Sequence, residues 1–354
     1  MSAPRRAAVV GTGLIGGSIG LALRERGWHV TGADRDPARE RRALELGVVD
    51  AIGVDPDAEI TFVATPVGTV PEVARRVLEV GGGVVTDVGS VKASVVRAVA
   101  DGRFVGGHPM AGSEQDGLEG AMAGLFERAV WVLTPTEHTD PAAHALVRSV
   151  VTSLGAEVVE LDPDRHDHLV AVVSHVPHLA AAALMTLASD RAEEHRALLR
   201  LAAGGFRDMT RIASGHPGMW PDVCAANAAA IVDTLDALVD SLRRLRAIVA
   251  DDDRGALLDA LDRARAARNA LPVRSVHPGE LAEVRVPILD RPGELAGITT
   301  LATDLEVNIY DVEIDHSAEG DRGVLVLVVD ATLTERLVGG LIARGQRPIV
   351  RMLT

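Results

Sequence analysis

A chain of 354 residues, 47% of them hydrophobic, is long enough for two or three domains with real cores. Its net charge of −14 supplies no basic stripe to neutralise phosphates, which excludes a nucleic-acid partner. A single cysteine, Cys224, excludes an internal disulfide, suits a reducing cytoplasm and reads as a packing residue in its Ala-rich helical context. The segment Met1 to Arg6 is basic, but the apolar run after it is broken by glycines and is needed as a strand, so no signal peptide is expected. Nothing reaches 18 uninterrupted apolar residues, and no membrane span is expected.

Ala7-Ala8-Val9-Val10 reads as a buried parallel strand and runs into Gly11-Thr12-Gly13-Leu14-Ile15-Gly16, followed by an apolar helix to Arg26. In such a fingerprint Gly11 makes the tight turn and Gly13 lets the backbone meet a pyrophosphate. Gly16 permits close helix packing, and the helix start at Leu14 and Ile15 offers free N–H groups. A second strand, His29 to Ala33, ends in Asp34, 23 positions after Gly11. An acid there accepts hydrogen bonds from a ribose and repels a 2′-phosphate, which favours NAD over NADP, although Arg35 next to it could offset that repulsion.

Up to residue 162, short apolar strands alternate with helical stretches: 60–64, 84–87, 104–106, 130–133 and 157–161. This is the doubly wound α/β pattern of a Rossmann-type domain, here residues 1–162. Ligands bind at the carboxyl ends of such strands, where Thr65-Pro66, Gly89-Ser90-Val91-Lys92 and the His108 segment fall. Gly106-Gly107-His108-Pro109-Met110-Ala111-Gly112-Ser113-Glu114 reads as a glycine-rich turn presenting an imidazole from a constrained loop.

From 163 to 272 the chain is rich in Ala, Leu and Arg at helical spacing with no convincing strand. Long Ala-rich helices are more easily buried against each other or a second subunit than left alone, so this all-helical domain is expected to make a homodimer. Val173-Ser174-His175-Val176-Pro177-His178 puts two histidines on one helical face. No carboxylate or cysteine at recognisable spacing completes a metal site, and no metal is expected. Arg211, following Gly204-Gly205, suits an anion-binding wall because guanidinium pairs bidentately with a carboxylate; Arg207 is the solvated alternative.

Pro272 to Gly279 reads as a linker. Residues 280–354 then give strand, helix, strand, strand, helix, strand: 282–288, 292–303, 308–315, 324–330, 333–343 and 348–353. This βαββαβ order resembles an ACT regulatory domain, with Asp290-Arg291-Pro292-Gly293-Glu294-Leu295 and Asn308-Ile309 as the matching loop and second-strand start. The resemblance implies an amino-acid effector site near that loop; a plain oligomerisation module is the alternative.

Five motifs in order carry a wider resemblance over nearly the whole chain. They are the Gly11 fingerprint, Asp87-Val88-Gly89-Ser90-Val91-Lys92, Gly107 to Glu114, Ser174-His175-Val176-Pro177-His178, and Phe206-Arg207-Asp208-Met209-Thr210-Arg211. The chain resembles the prephenate/arogenate dehydrogenase family. That implies NAD-dependent oxidative decarboxylation of prephenate to 4-hydroxyphenylpyruvate in tyrosine biosynthesis, or of arogenate to tyrosine. Residue chemistry agrees: a ring carbinol losing hydride must also lose a proton, and His108 accepts it at neutral pH. Ser90 would hold the same hydroxyl or orient the imidazole. The resemblance further implies that His178 donates a hydrogen bond to substrate, that Glu114 gates the mouth, and that Asp208 and Trp220 lie near the substrate side chain. Two other readings stay open. A β-hydroxyacid-type dehydrogenase typically needs a catalytic lysine in its helical domain, and residues 163–271 have none. An NAD-dependent ligand sensor would not need His108, Ser90 and Arg211 together.

Overall fold

The computed structural model describes residues 4–112, 115, 117–194, 199–271, 281–289, 291–316 and 322–353. Glu114, Asp290 and the linker 272–279 lie outside the described residues. The chain divides into two compact units, Met1–Glu194 with Met209–Arg244, and His195–Asp208 with Leu245–Thr354.

The first unit is built on an eight-stranded sheet. Its strands are β1 (Arg6–Val10), β2 (His29–Ala33), β3 (Ala51–Ile52), β4 (Ile60–Val63), β5 (Val84–Asp87), β6 (Phe104–Pro109), β7 (Val130–Thr134) and β8 (Glu157–Glu160). Helices α1 (Leu14–Glu25), α2 (Pro37–Glu45), α3 (Val70–Val80), α4 (Ala93–Val99) and α5 (Pro141–Ser153) connect them. The strand order is β3-β2-β1-β4-β5-β6-β7-β8. Order reverses between β1 and β4, which opens a crevice at their carboxyl ends. Both faces are covered, so Ile60, Phe62 and Val63 of β4 are all fully buried, and Phe62 meets Trp131 edge-on at 6.3 Å.

Two sequence expectations are corrected here. The sheet is mixed: β6 and β7 pair antiparallel, Gly106 opposite Thr134 through Pro109 opposite Trp131, whereas the doubly wound pattern implies parallel strands throughout. An antiparallel neighbour needs no crossover helix, and two short 3₁₀ turns, Leu118–Gly120 and Ala123–Phe126, lie in the connection instead. His108 is in strand β6, buried, and is not on a loop.

A helical layer follows: α6 (Pro163–Val170), a π-helical turn Ala171–His175, α7 (Val176–Glu194), α8 (Gly204–Thr210), α9 (Trp220–Ala226), α10 (Ala228–Ala250) and α11 (Arg254–Asn269). Asp162 caps α6, accepting from Asp164 N and Arg165 N at 3.0 Å each, and Pro163 occupies the first turn. The uninterrupted helical run Pro163–Arg191 has the length and apolar character of a membrane span, although its apolar residues are not continuous. It carries buried His166, Asp167 and His175 on one side and exposed Leu169, Val172, Val173 and Leu187 elsewhere. Helix α9 docks on the core beside the eight-stranded sheet: Val223 packs with Val63, Val67 and Val70, and Trp220 adjoins that cluster. Cys224 is half-buried beside Ala171, Val176 and Ile231.

The C-terminal strands β9 (Leu281–Leu289), β10 (Ile309–His316), β11 (Arg322–Asp330) and β12 (Ile349–Leu353) form an antiparallel sheet in the order β10-β11-β9-β12. Helices α12 (Glu294–Asp304) and α13 (Thr334–Ala343) cover it through Ile298, Leu301, Leu337 and Leu341, packed on Val284, Val286, Leu325 and Leu327. The order βαββαβ agrees with the sequence reading.

Candidate active site

The glycine fingerprint closes as its sterics require. Gly11 has φ +97, donates to Ala33 O at 2.7 Å, and a Cβ there would strike the Ala64 carbonyl. A Cβ on Gly16 would collide with the Gly11 carbonyl, so α1 packs closely on the turn. At Gly13 a Cβ would meet nothing within 4 Å, which leaves the backbone open to a ligand. A cleft of about 520 Å³ is lined there by Gly11, Gly13, Asp34, Arg35, Arg39 and Thr65. Thr65 Oγ1 is buried with no hydrogen-bond partner among the described residues. A buried hydroxyl without a partner beside an open glycine turn fits a dinucleotide. The Asp34 carboxylate accepts from Thr12 N at 2.9 Å and from Asp36 N at 3.1 Å, and Arg39 stands 3.6 Å from it. Asp34 therefore both fixes the turn and lines the cleft.

Ser90 is half-buried beyond the carboxyl end of β5, and His108 sits near the end of β6. His108 Nδ1 is 2.9 Å from His166 Nε2, and His166 Nδ1 is 2.8 Å from Asp167 Oδ1. The nitrogen that Ser90 was expected to orient is thus held by His166. Asp167 in turn accepts from the backbone N–H groups of Lys92 at 2.8 Å and Ala93 at 2.9 Å, at the start of α4. Burial pushes the His108 pKa well below its ordinary value near 6.5, and the neighbouring His166, Lys92 and His175 push the same way.

Lys92 is the only lysine in the chain and is fully buried. Its ammonium pairs with Asp87, also fully buried, and donates to the Gly107 carbonyl at 2.7 Å. Asp87 accepts from Gly89 N at 2.9 Å and Gly107 N at 3.1 Å. Burial lowers the Lys92 pKa, opposed by the charges of Asp87 and Asp167.

His175 is 1% exposed, its Nδ1 faces Asn227 Nδ2 at 3.2 Å, and its Nε2 is buried without a partner. An amide nitrogen only donates, so Nδ1 accepts and Nε2 carries a proton with no acceptor among the described residues. Asn227 also donates to Asp167 O at 2.8 Å. His178 stacks on Trp220 with ring centroids 3.8 Å apart and 18° between planes, and Gly215 lies against the His178 ring. The structure thereby brings His178, Trp220 and the turn Arg211–Ser214 together, with Arg211 exposed. Arg207 is exposed and donates to Ala202 O at 3.2 Å; Asp208 is exposed on α8.

His166, Asp167, Lys92, Asp87 and Asn227 were not singled out as site residues by the sequence. A signal was present: Pro163, His166, Asp167 and Val170 recur at i, i+3, i+4 and i+7, which places two ionisable groups on the buried face of α6.

Fold and site define a Rossmann-type oxidoreductase. A family model described as the prephenate dehydrogenase nucleotide-binding domain matches residues 19–160, and one for the prephenate dehydrogenase dimerization domain matches 162–263. Prephenate dehydrogenase of Bacillus subtilis is 34% identical over 335 residues, covering 90% of each chain. Prephenate dehydrogenase of A. aeolicus, solved with hydroxyphenyl propionate and NAD+, is 30% identical with TM-score 0.72, covering 77% of this chain and 99% of that one. Synechocystis arogenate dehydrogenase is 33% identical with TM-score 0.66, covering 75% and 99%. The chain belongs to the prephenate dehydrogenase family.

Proposed function

We propose that the protein catalyses NAD-dependent oxidative decarboxylation of prephenate to 4-hydroxyphenylpyruvate, in tyrosine biosynthesis. The observation that carries this reading is a buried, neutral His108 at the carboxyl edge of the sheet, its Nδ1 committed to His166 and its Nε2 left for a ligand. NAD would supply the hydride acceptor when bound, and Gly11, Gly13, Leu14, Ile15, Gly16, Asp34, Arg35 and Thr65 would hold it. His108 Nε2 takes the carbinol proton as the C–H pair departs, and Ser90 steadies the hydroxyl. The new carbonyl draws the pair from the breaking C–CO2 bond, and aromatisation drives the step forward. His175 offers an unspent N–H to the bound ligands, and His178, braced by Trp220, donates to substrate. Glu114 as gate and Asp208 near the substrate side chain remain part of the proposal.

The test is steady-state turnover of prephenate and of arogenate with NAD and with NADP. Prephenate with NAD is expected to give the highest kcat/KM, since Asp34 disfavours a 2′-phosphate. A higher value with arogenate would reassign the substrate. A higher value with NADP would mean that Arg35 and Arg39 outweigh Asp34 at the ribose.

Arg211 is proposed to pair with a substrate carboxylate, supported by its place on the turn beside His178. A carboxylate held bidentately contributes about 1.5–3 kcal/mol, so Arg211→Ala is expected to raise KM for prephenate by roughly 10- to 150-fold with NAD affinity unchanged. An unchanged KM would move the anion site to Arg207.

The three-part division 1–162, 163–272 and 280–354 is proposed as the functional one. The exposed apolar positions of α7 and α10, among them Leu187, Val232, Val239 and Leu242, suit a homodimer, and a cytoplasmic location fits the lone cysteine. The C-terminal unit is proposed to be ACT-like and to bind an aromatic amino acid, foremost tyrosine. Its support is the antiparallel βαββαβ sheet, the left-handed Gly293 at the start of α12, and exposed Asn308 before β10. Tyrosine is expected to change prephenate affinity about 5- to 150-fold. Titration of tyrosine, phenylalanine and tryptophan with no binding and no change in rate would leave this unit an assembly element.

A further inference from the structure

We infer that His166 and Asp167 are positioning residues for the proton-accepting step, forming with His108 a relay that sets the tautomer of the base and spreads the charge it gains. The inference rests on the reading of His108 as base. Proton positions follow from Asp167 outward. Its carboxylate accepts two backbone N–H groups, Lys92 and Ala93, and an ionised carboxylate has nothing to donate. The 2.8 Å contact therefore takes a proton from His166 Nδ1, leaving a lone pair on His166 Nε2. That lone pair, 2.9 Å from His108 Nδ1, accepts a proton from it. His108 is then bare at Nε2, the state a base needs. The ring centroids are 5.1 Å apart and the ring planes cross at 76°, with the two nitrogens 2.9 Å apart.

Burial answers one requirement and creates another. It keeps His108 neutral and ready at neutral pH, but it makes the imidazolium formed during turnover costly. The groups facing His108 from the end of β5 and from just before α4 are Asp87 and Lys92, which pair with each other; from the π turn comes His175, neutral and bonded to Asn227. Asp167 is the one carboxylate, among the described residues, joined to the base through hydrogen bonds. When the substrate O–H bond breaks, its electron pair stays on oxygen to form the carbonyl and its proton bonds His108 Nε2. The Nδ1–H bond to His166 strengthens, His166 is polarised toward Asp167, and no co-reactant is needed. Loss of CO2 then turns that carbonyl into a phenolate oxygen, which takes the proton back from His108 Nε2 as the ring becomes aromatic. The geometry generalises the acid–imidazole pair of hydrolases by one more imidazole.

His166→Ala is the first test, assayed with prephenate and NAD, with and without added imidazole or pyrrole. Expected are an approximately 10²-fold loss of kcat, unchanged NAD affinity, and a displaced acid limb of kcat/KM. Imidazole should restore rate because it carries an acceptor nitrogen; pyrrole, the same size with an N–H and no acceptor, should not. Equal rescue by both, or wild-type kcat with an unmoved acid limb, overturns the relay in favour of packing. The second test needs no variant activity: nitrogen-15 NMR of the wild-type protein should find His108 and His166 both protonated on Nδ1 at pH 7. Either ring protonated on Nε2 instead overturns the assignment. A wild-type protein that does not oxidise prephenate would sink the functional reading, while the NMR result would still decide the relay.

Discussion

Replacing His108 with asparagine is expected to lower kcat for prephenate by about 10²-fold or more while NAD binds as before. The side chain is 9% exposed, lies in β6 and does not line the dinucleotide cleft, so the cofactor site should be untouched. Asparagine keeps a donor that can reach toward His166 but offers no atom basic enough to take the carbinol proton. The wild-type pH profile provides a second reading. Because burial, with His166, Lys92 and His175 beside it, holds the His108 pKa well below 6.5, the base stays neutral at pH 7, and the acid limb of kcat/KM should appear below pH 6.5. The folded state binds fewer protons here than the unfolded chain, so the same group also withdraws stability as pH falls through that window. Wild-type turnover in His108→Asn, or an acid limb above pH 6.5 that vanishes in the variant, would remove His108 as a buried neutral base.

Features fixed by local sterics were legible from sequence. The Gly11 turn, the acid at Asp34 and the βαββαβ element order of the C-terminal unit each depend on neighbours within a few dozen residues. His108 shows where such reading fails. Gly106, Gly107 and Pro109 punctuate loops in most chains, yet here they lie in a strand. A Cβ on Gly106 would strike Thr134, and one on Gly107 would strike the Asp87 carbonyl, so the glycines are required by the close approach of β5 and β7. Pro109 ends the strand, where a missing N–H costs little. The partner of His108 was illegible for another reason: His166 lies 58 positions away, on a helix start rich in charge that resembles a solvated face. Only the folded sheet brings them together. Lys92 was within a recognised motif, but its role depends on Asp87 and the Gly107 carbonyl, a tertiary arrangement.

Lys92→Met is expected to cost about 3–5 kcal/mol in folding stability, read as a lower denaturant midpoint. Removing the ammonium leaves the Asp87 carboxylate buried with only the Gly89 and Gly107 amides to answer it, and leaves the Gly107 carbonyl without its side-chain donor. Arginine is no substitute, because the site is fully buried and a planar fork is bulkier than the ammonium it would replace. The double variant Asp87→Asn with Lys92→Met should recover much of the loss, since a buried pair taken out together leaves no unpaired charge. Recovery of stability should not bring back full activity. The pair ties the end of β5 to the residue before His108, and without it the imidazole loses the backbone clamp that aims Nε2. A single-variant loss under about 1 kcal/mol would mean that water or a shifted side chain answers Asp87, and the pair would then have no claim on the geometry of the base.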